Sequence, residues 1–370
     1  NRRYEFRYNT QIGEVEYRER FSFQFYFHSI DKRAQNSIML DAQSEGIGVW
    51  DRDIDRYLHS NRVPIYNPLE EFLFHLPHWD GKDRIHALAN RVPCKNPHWE
   101  LLFHRWFLNM VSHWRGVDKM HANNTSPILV GRQGTHKSTF CREMIPPALR
   151  AYYTDSIDFS HKRDAELYLN RFALINIDEF DQITLPQQGF LKHILQKPVV
   201  NLRKPHGRSV LELQRYASFI GTSNQKDLLT DPSGSRRFIC IEVTGNIDTT
   251  QPIDYEQLYA QAMHDLYRGE RYWFNTEDEN VMTENNQEFQ VMPVAEQLFH
   301  EYFRGAKEGE ECEQLLAIEI LQQLQHDSKI HVSICSIVQF GRILQKNKIP
   351  SLHTKRGNFY KVIRIKPGRG

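Results

Sequence analysis

The sequence lacks the features that mark secreted and membrane proteins. Its 370 residues include five cysteines without a CxxC pair, which argues against a disulfide framework or a zinc tetrad and predicts a reducing, cytoplasmic location. No apolar run approaches the length of a membrane span, so no membrane partner is expected. The net charge is only +1, so any surface for a polyanion must be local. Because the sequence begins with Asn1 and not with methionine, we expect it to be a piece of a longer protein.

A strand–loop–helix pattern over Pro127–Phe140 is the most informative segment. Its spacing is that of a P-loop, in which backbone N–H groups and a helix N-terminus face the β- and γ-phosphates of a nucleotide. One position departs from the pattern, since His136 stands where glycine is expected. An ordinary strand–turn–helix is the alternative. The predicted cofactors are ATP and Mg²⁺, and the predicted nucleotide contacts are Gly131, Gly134, Thr135, His136, Lys137, Ser138 and Thr139.

Two further apolar runs end in polar residues. Phe172–Ile177 leads into Asp178 and Glu179, and a second buried strand ends at Asn224. The carboxyl ends of such strands open into the crevice where α/β sheets bind ligands. We therefore expect Asp178 to hold Mg²⁺ together with the hydroxyl of Ser138, and Glu179 to orient the attacking water. For Asp178 and Glu179 the alternative is a solvated acidic turn at the end of their strand. Asn224 is expected near the γ-phosphate and the lytic water.

The remaining sequence predicts the surrounding architecture. Its composition, 40% hydrophobic and 25% charged, is that of a globular protein with two or three domains. Local patterns predict a hairpin over 4–29, helices over 99–114, 255–267, 315–325 and 337–345, and a loop or linker over 276–290. The predicted regions are an N-terminal hairpin plus helical region (1–118), a P-loop ATPase core (119–248), a helix and linker (249–294), and a C-terminal α+β module (295–370) that is either a winged helix or a small packing domain.

Together these motifs resemble the virulence-associated protein E family of phage and mobile-element ATPases, grouped with the superfamily 3 helicases of the AAA+ class. The resemblance lies in Gly131–Thr139, Ile177–Glu179, Gly221–Asn224 and Asp231–Phe238, with the upstream run Trp79–Ile85 in support. It covers 68–243 well and the C-terminal quarter only loosely. It implies an α/β fold with an AAA+-like core and a winged-helix-like C-terminal module.

The resemblance also implies a ring, commonly of six subunits, with ATP at the subunit boundaries. Arg236 or Arg237 would then reach the γ-phosphate of the neighbouring subunit as an arginine finger, and we favour Arg236. The alternative is an ion pair of one arginine with Asp231 or Glu242. If the two arginines project to opposite sides of an extended chain, one takes each role.

A basic hairpin is predicted between the second and third motifs, over Val199–Leu213. In superfamily 3 rings a hairpin at this place in the chain projects into the central channel and grips one strand of DNA. Such a grip needs a rigid stalk and cationic donors for phosphates. A solvated edge hairpin is the alternative. The predicted nucleic-acid contacts are Arg203, Lys204, His206 and Arg208, with Lys355 and Arg356 in the C-terminal wing.

Three functions remain open from the sequence. The first is a DNA helicase or translocase of a mobile element that acts on single-stranded or forked DNA, with an upstream primase domain or a replication partner. The second is a ring-forming assembly or defence ATPase that acts on a protein partner, which the weak net charge and His136 favour slightly. The third is an ATPase that binds nucleotide without hydrolysing it. The intact Lys137, Asp178 and Glu179 argue against that last function.

Overall fold

The computed structural model describes residues 3–23, 25–116, 118, 120–203, 210–229, 232–328, 335–355 and 357–365, and only the backbone at 202, 203, 210, 211 and 232–234. The chain forms two compact units, Asn1–Gln290 and Val291–Gly370. The first unit therefore contains both the N-terminal region and the core around the loop at 131–136. In the described part of the chain, no helix is long and apolar enough to cross a membrane.

The first unit begins with a small sheet surrounded by helices. The sheet order is β3–β2–β1–β4, and the antiparallel β1–β2 pair confirms the predicted hairpin. In chain order the elements are β1 (Tyr4–Asn9), β2 (Glu14–Glu19), β3 (His28–Ser29), α1 (Lys32–Ser44), α2 (Asp51–Leu58), β4 (Ile65–Tyr66), α3 (Pro68–Phe74), α4 (Arg84–Ala89) and α5 (Trp99–Trp114).

The aromatic helix α5 coincides with its predicted range and is buried along most of its length. Trp106 Nε1 donates to the carbonyl of Phe219 at 3.1 Å, and Trp114 Nε1 donates to the carbonyl of Ala173 at 3.3 Å. Phe219 lies in a strand of the central sheet described next, and Ala173 directly precedes another strand of it. Each indole N–H thus has a partner, as buried tryptophans require. The aromatic stripe is core that supports the sheet, as predicted.

The centre of the first unit is a sheet whose five described strands are parallel and follow the order β11–β5–β10–β7–β6. Every residue of β5, β7 and β10 is buried, as expected for strands covered on both faces. This part of the chain contains β5 (Ser126–Val130), α6 (Lys137–Glu143), β6 (Tyr153–Thr154), α7 (Lys162–Arg171), β7 (Leu174–Ile177), α8 (Leu185–Leu195), β8 (Val199–Arg203), β9 (Val210–Gln214), β10 (Ser218–Ser223) and β11 (Phe238–Glu242).

Strand β10 lies between the strand that precedes the loop and the strand that precedes Asp178. Gly221 is opposite Ile128 of β5 and Ile177 of β7. A Cβ added at Gly221 would lie 2.8 Å from Ile128 Cδ1 and 3.2 Å from the carbonyl oxygen of Ile177. The glycine therefore permits the close approach of the three strands that carry the site.

Strands β8 and β9 form the predicted antiparallel hairpin. The residue directly after this hairpin is Arg215. Its side chain is fully buried and donates five hydrogen bonds to backbone carbonyls. These acceptors connect the end of α8, the start of β10 and the segment before β5. The bonds run from Nε to Ala217 (2.9 Å), from Nη1 to Ile194 (3.2 Å), Leu195 (2.8 Å) and Lys197 (2.6 Å), and from Nη2 to Asn123 (3.1 Å).

The prediction of a loop over 276–290 is wrong, because this segment contains the helix α10 (Thr276–Asn285) and a 3₁₀ turn (Asn286–Phe289). A capping box of Asn275 and Asp278 begins α10, and the acidic residues in its first turn stabilise the helix by interacting with the positive end of its dipole. Asp278 also pairs with Arg105, and with Arg271 at 2.6 Å. The preceding helix, α9 (Tyr255–Tyr267), has its predicted bounds.

The second unit is a small α+β module in which β15 pairs antiparallel with β12, β13 and β14. The predicted helix over 315–325 begins later, since Leu315 and Leu316 belong to β13 and pair with Tyr360 and Phe359. The order of elements is helix, two short strands, two helices and a strand pair: α11 (Val294–Tyr302), β12 (Phe303–Gly305), β13 (Glu313–Leu316), α12 (Ala317–Ser328), α13 (Ile337–Lys346), β14 (Ser351–Thr354) and β15 (Gly357–Arg364).

Candidate nucleotide site

The carboxyl ends of β5, β10 and β7 meet at one edge of the parallel sheet and surround a pocket of about 320 Å³. The structure thus brings together residues from all three sequence motifs. The residues around the pocket are Gln133, Gly134, Thr135, His136, Lys137, Ser138, Thr139, Asp178, Glu179, Thr222 and Asn224. Gly131 lies at the start of the same loop, and its N–H donates to the carbonyl of Ser223 at 3.0 Å.

The loop before α6 depends on an unusual backbone at two positions. Gly134 has φ +83°, and His136 has φ 66° and ψ 22°, so both lie in the left-handed region. Glycine enters this region without steric cost, whereas a residue with a Cβ is strained there. His136 therefore adopts the backbone conformation that the loop requires, in spite of its side chain. Its Cα immediately precedes α6, so the N–H groups of the first helical turn remain directed at the pocket.

Lys137 is held at the base of the pocket with only 7% of its surface exposed. Its ammonium group donates to the carbonyls of Gly131 and Arg132, both at 2.8 Å, and to Asn224 Oδ1 at 3.2 Å. Burial lowers the pKa of Lys137, and the negative charge of Asp178 opposes that shift. The contact with Asn224 joins the helix after β5 to the end of β10.

Asp178 binds two hydroxyl groups with one carboxylate oxygen. Ser138 Oγ donates to Asp178 Oδ1 at 2.9 Å, and Thr222 Oγ1 donates to the same oxygen. Neighbouring ligands in an octahedron with Mg²⁺–O bonds of about 2.0–2.1 Å are separated by about 2.9 Å. Ser138 and Asp178 therefore have the spacing of two ligands of one magnesium ion. Glu179 follows with φ 53° and an exposed side chain that borders the pocket.

Two residues of this site have no assigned role in the sequence prediction. Asp181 accepts the hydroxyl of Ser223 at 2.8 Å and the N–H of Asn224 at 3.4 Å. Thr222 donates to the same oxygen of Asp178 as Ser138, the second residue of α6. The polar cluster after β10 is visible in the sequence, but its contacts depend on the register of β10 against β7. Asp181 thus fixes the turn that presents Asn224.

The two arginines proposed as a finger lie in a 3₁₀ helix, Pro232–Arg237, and not on opposite sides of an extended chain. Among the described residues that border the pocket, neither arginine occurs. Arg236 is about half exposed and pairs with Glu279 Oε2 at 3.0 Å. Glu242, one of the expected partners, pairs with Lys226 at 2.8 Å. The other expected partner, Asp231, lies outside the described residues.

The nucleic-acid candidates are only in part open to description. Lys204, His206, Arg208 and Arg356 lie outside the described residues, and the structure gives only the backbone of Arg203. Lys355 is exposed in the turn between β14 and β15. The hairpin stalk agrees with the prediction, and the roles of these cations stay predictions.

The upstream run Trp79–Ile85 has a structural explanation. The guanidinium of Arg84 contacts both carboxylate oxygens of Asp80, at 2.6 and 2.8 Å, and Asp254 at 3.1 Å. Gln261 Oε1 accepts the backbone N–H of Arg84 at 2.6 Å. These bonds attach the segment to α9, so the motif stabilises the helical region beside the sheet.

Fold and site together define an α/β protein with a strand–loop–helix segment whose loop lies at the carboxyl ends of the strands of a parallel sheet. Residues 73–291 match the virulence-associated protein E-like domain. This match covers more than half of the chain, and the chain belongs to that family. Residues 292–362 match a domain of unknown function described from B. Theta. No curated protein matches the chain.

Among solved structures, similar chains include three of the C-terminal region of NrS-1, all in the apo form. One is 13% identical with a TM-score of 0.45, over 98% of this chain and 96% of that chain. The others are 12% and 14% identical with TM-scores of 0.45 and 0.43, covering 97% and 98% of this chain and 96% of each of those chains. At this level of similarity, no role of an NrS-1 residue is transferred to this chain.

Proposed function

We propose that this protein is an ATP-dependent, ring-forming DNA helicase or translocase of a phage or another mobile genetic element. The observation that carries the proposal is the meeting of Lys137, Asp178 and Asn224 around one pocket at the ends of adjacent parallel strands. A cation, a carboxylate and an amide in this arrangement match the needs of a bound triphosphate. The family match supports the mobile-element context.

The site residues divide the work of phosphoryl transfer. The loop N–H groups and Lys137 would bind the β- and γ-phosphates, and Ser138 and Asp178, whose oxygens are 2.9 Å apart, would hold Mg²⁺. When bound, Mg²⁺ neutralises charge on the phosphates. Glu179 orients the attacking water from the rim of the pocket, and Asn224 is positioned by its contact with Lys137.

The ring is proposed from the family resemblance, and it would bring an arginine of a neighbouring subunit to the pocket, where none of the described lining residues is an arginine. Transition-state charge on the γ-phosphate is stabilised by a guanidinium that another subunit can supply. Arg236 is the proposed donor, because its exposed side chain is held by one surface ion pair with Glu279. Such a pair contributes only about 0–1 kcal/mol and can be exchanged for a phosphate contact.

DNA binding is proposed for the hairpin β8–β9 and the turn between β14 and β15. The antiparallel stalk and the clamp of Arg215 at its base give the hairpin a rigid support. The second unit has the order helix, two strands, two helices and two strands, and the two helices followed by a strand pair support a winged-helix-like module with Lys355 in its wing. Both surfaces would contact phosphates without reading sequence.

The proposal is tested by ATP hydrolysis and by unwinding of a labelled DNA fork. We expect hydrolysis to rise when forked DNA is added and the fork to separate. Lys137→Ala should lower ATP affinity about 10- to 100-fold, since a charged hydrogen bond contributes about 1.5–3 kcal/mol. Glu179→Gln should bind ATP but hydrolyse it slowly. Lys32→Ala, an exposed lysine of α1, is the control. Wild-type turnover in either site variant would refute the assignment.

The second candidate, an assembly or defence ATPase with a protein partner, is favoured by the net charge of +1 and by His136 in the loop. A double change of Lys204 and Arg208 to alanine separates the two functions. Loss of DNA binding with intact ATPase and ring assembly supports the helicase. Normal DNA-stimulated hydrolysis in that variant contradicts a role of the hairpin in DNA binding.

A further inference from the structure

A second group of ligand-type side chains lies apart from the nucleotide pocket, where α5 packs against the end of α9. His104 Nε2 is 3.2 Å from Asp265 Oδ2 and 3.9 Å from Glu270 Oε2. One ligand atom from each of the three residues lies within 4.8 Å of the others. None of these residues borders the nucleotide pocket or enters the proposed reaction.

The three side chains are placed by rigid elements. His104 and Asp265 are buried residues of α5 and α9, with 8% and 6% of their surfaces exposed. Helix α9 ends in a left-handed Gly269 at φ +80°, where the N–H of Gly269 donates to the carbonyl of Leu266 at 3.1 Å and that of Glu270 to the carbonyl of Asp265 at 3.0 Å. This pair of bonds is a Schellman motif, which folds the chain back over the last helical turn. The motif brings the carboxylate of Glu270 beside that of Asp265.

A histidine alone does not satisfy both carboxylates. The distance of 3.2 Å from His104 Nε2 to Asp265 is that of a hydrogen bond, but 3.9 Å to Glu270 is too long for one. His264 Nδ1 lies 3.3 Å from the other oxygen of Asp265, so Asp265 is approached from both sides. Glu270 is left facing a carboxylate and a ring nitrogen. The two carboxylates repel each other in part, since water screens the half-exposed Glu270, and a cation between them would remove that repulsion.

The distances suit a metal ion. Zinc bonds to imidazole nitrogen and carboxylate oxygen are about 2.0–2.2 Å long, so two ligands of a tetrahedral ion are about 3.3–3.6 Å apart. The observed 3.2 and 3.9 Å lie on either side of this range, and a small rotation of the exposed Glu270 side chain closes the difference. We propose that His104, Asp265 and Glu270 bind one divalent transition-metal ion of the Zn²⁺ type, with water in the remaining position.

The ion links α5 to the end of α9. Since α5 supports the central sheet and α9 holds the segment around Arg84, the metal stabilises the helical layer beside the nucleotide-binding core. This role is structural and needs no step of ATP hydrolysis. The inference is therefore independent of the proposed function.

The test is calorimetric titration of the chelator-treated full chain with Zn²⁺, in buffer containing excess Mg²⁺ to occupy oxygen-rich sites. We expect one tight Zn²⁺ per chain and a rise of Tm on binding. Glu270→Gln should weaken binding at least tenfold, and it is the decisive variant because its exposed side chain allows the protein to fold. Asp265→Asn should weaken binding as strongly.

The matched control is His59→Gln. His59 also lies near one carboxylate, with Nδ1 3.4 Å from Asp55 Oδ1, but both side chains are mostly exposed and no third ligand from the described part of the chain joins them. The control should leave stoichiometry and affinity unchanged. Absence of a tight site in the wild-type protein, or a tight site that persists in Glu270→Gln, would overturn the proposal.

Discussion

Replacement of Arg215 by methionine should cause a large loss of stability in the first unit. Methionine fills similar space but removes the guanidinium, whose Nε, Nη1 and Nη2 donate to five backbone carbonyls. A hydrogen bond to a charged group contributes about 1.5–3 kcal/mol, so the five would sum to about 7–15 kcal/mol if they were independent. They share one side chain, and removing the guanidinium also removes the cost of burying its charge. We therefore expect a net loss of about 3–5 kcal/mol.

The charge is present at neutral pH. Burial lowers the pKa of Arg215 to about 9, which remains above 7, so the guanidinium donates all its bonds as a cation. Arg215→Lys keeps the charge but offers three donors in place of five, and it should lie between the wild-type protein and the methionine variant. The expected order of stability, wild type above Arg215→Lys above Arg215→Met, follows from the number of carbonyls to which each side chain can donate.

Urea unfolding followed by tryptophan fluorescence measures the effect. All six tryptophans precede residue 291, so the signal reports the first unit alone. Arg56→Met is the control, because Arg56 is 76% exposed and its single pair with Asp53 is 3.3 Å long. The control should change the free energy of unfolding by less than about 0.5 kcal/mol. A loss below about 1 kcal/mol in Arg215→Met would refute the reasoning.

Three further predictions use the same unfolding assay. Gly221→Ala should destabilise the first unit by about 1–3 kcal/mol, since the new Cβ would lie 2.8 Å from Ile128 Cδ1; an unchanged midpoint would contradict the close approach. His136→Gly should raise the free energy of unfolding by about 0.5–1 kcal/mol, because the steric cost of a left-handed residue exceeds the entropy that glycine loses on folding. A less stable variant would show that the His136 side chain makes contacts that compensate for the strain. Burial lowers the pKa of His113 to about 3 from 6.5, so stability should fall as the pH drops from 6.5 toward 3, where only the unfolded chain takes up this proton. In His113→Gln the decline should be shallower, and an equal slope in both proteins would exclude His113 as its source.

Elements with strong periodicity were predictable from the sequence. The ranges of α5 and α9 agree with their predictions, because each carries a regular apolar face that tertiary packing reinforces. Helix α10 was not predictable in the same way. Its sequence is acidic with little periodicity, and it is held by a capping box and by pairs of Asp278 with Arg271 nearby and Arg105 far along the chain.

The candidate site shows the same division. The order of the motifs predicts that Lys137, Asp178 and Asn224 meet, since parallel strands end at one edge of the sheet, and the structure brings them together. The contacts of Asp181 and Thr222 depend on the register of β10, which a single sequence does not specify. The assignments at the hairpin tip lie outside the described residues and stay predictions.

The left-handed backbone at His136 bears on how phosphate-binding loops are recognised in other proteins. Histidine, asparagine and aspartate enter that region more readily than most residues that have a side chain. A sequence pattern that accepts only glycine before the lysine would reject a loop of this shape. Allowing those three residues at that position would retrieve proteins whose loops preserve the geometry while their sequences differ.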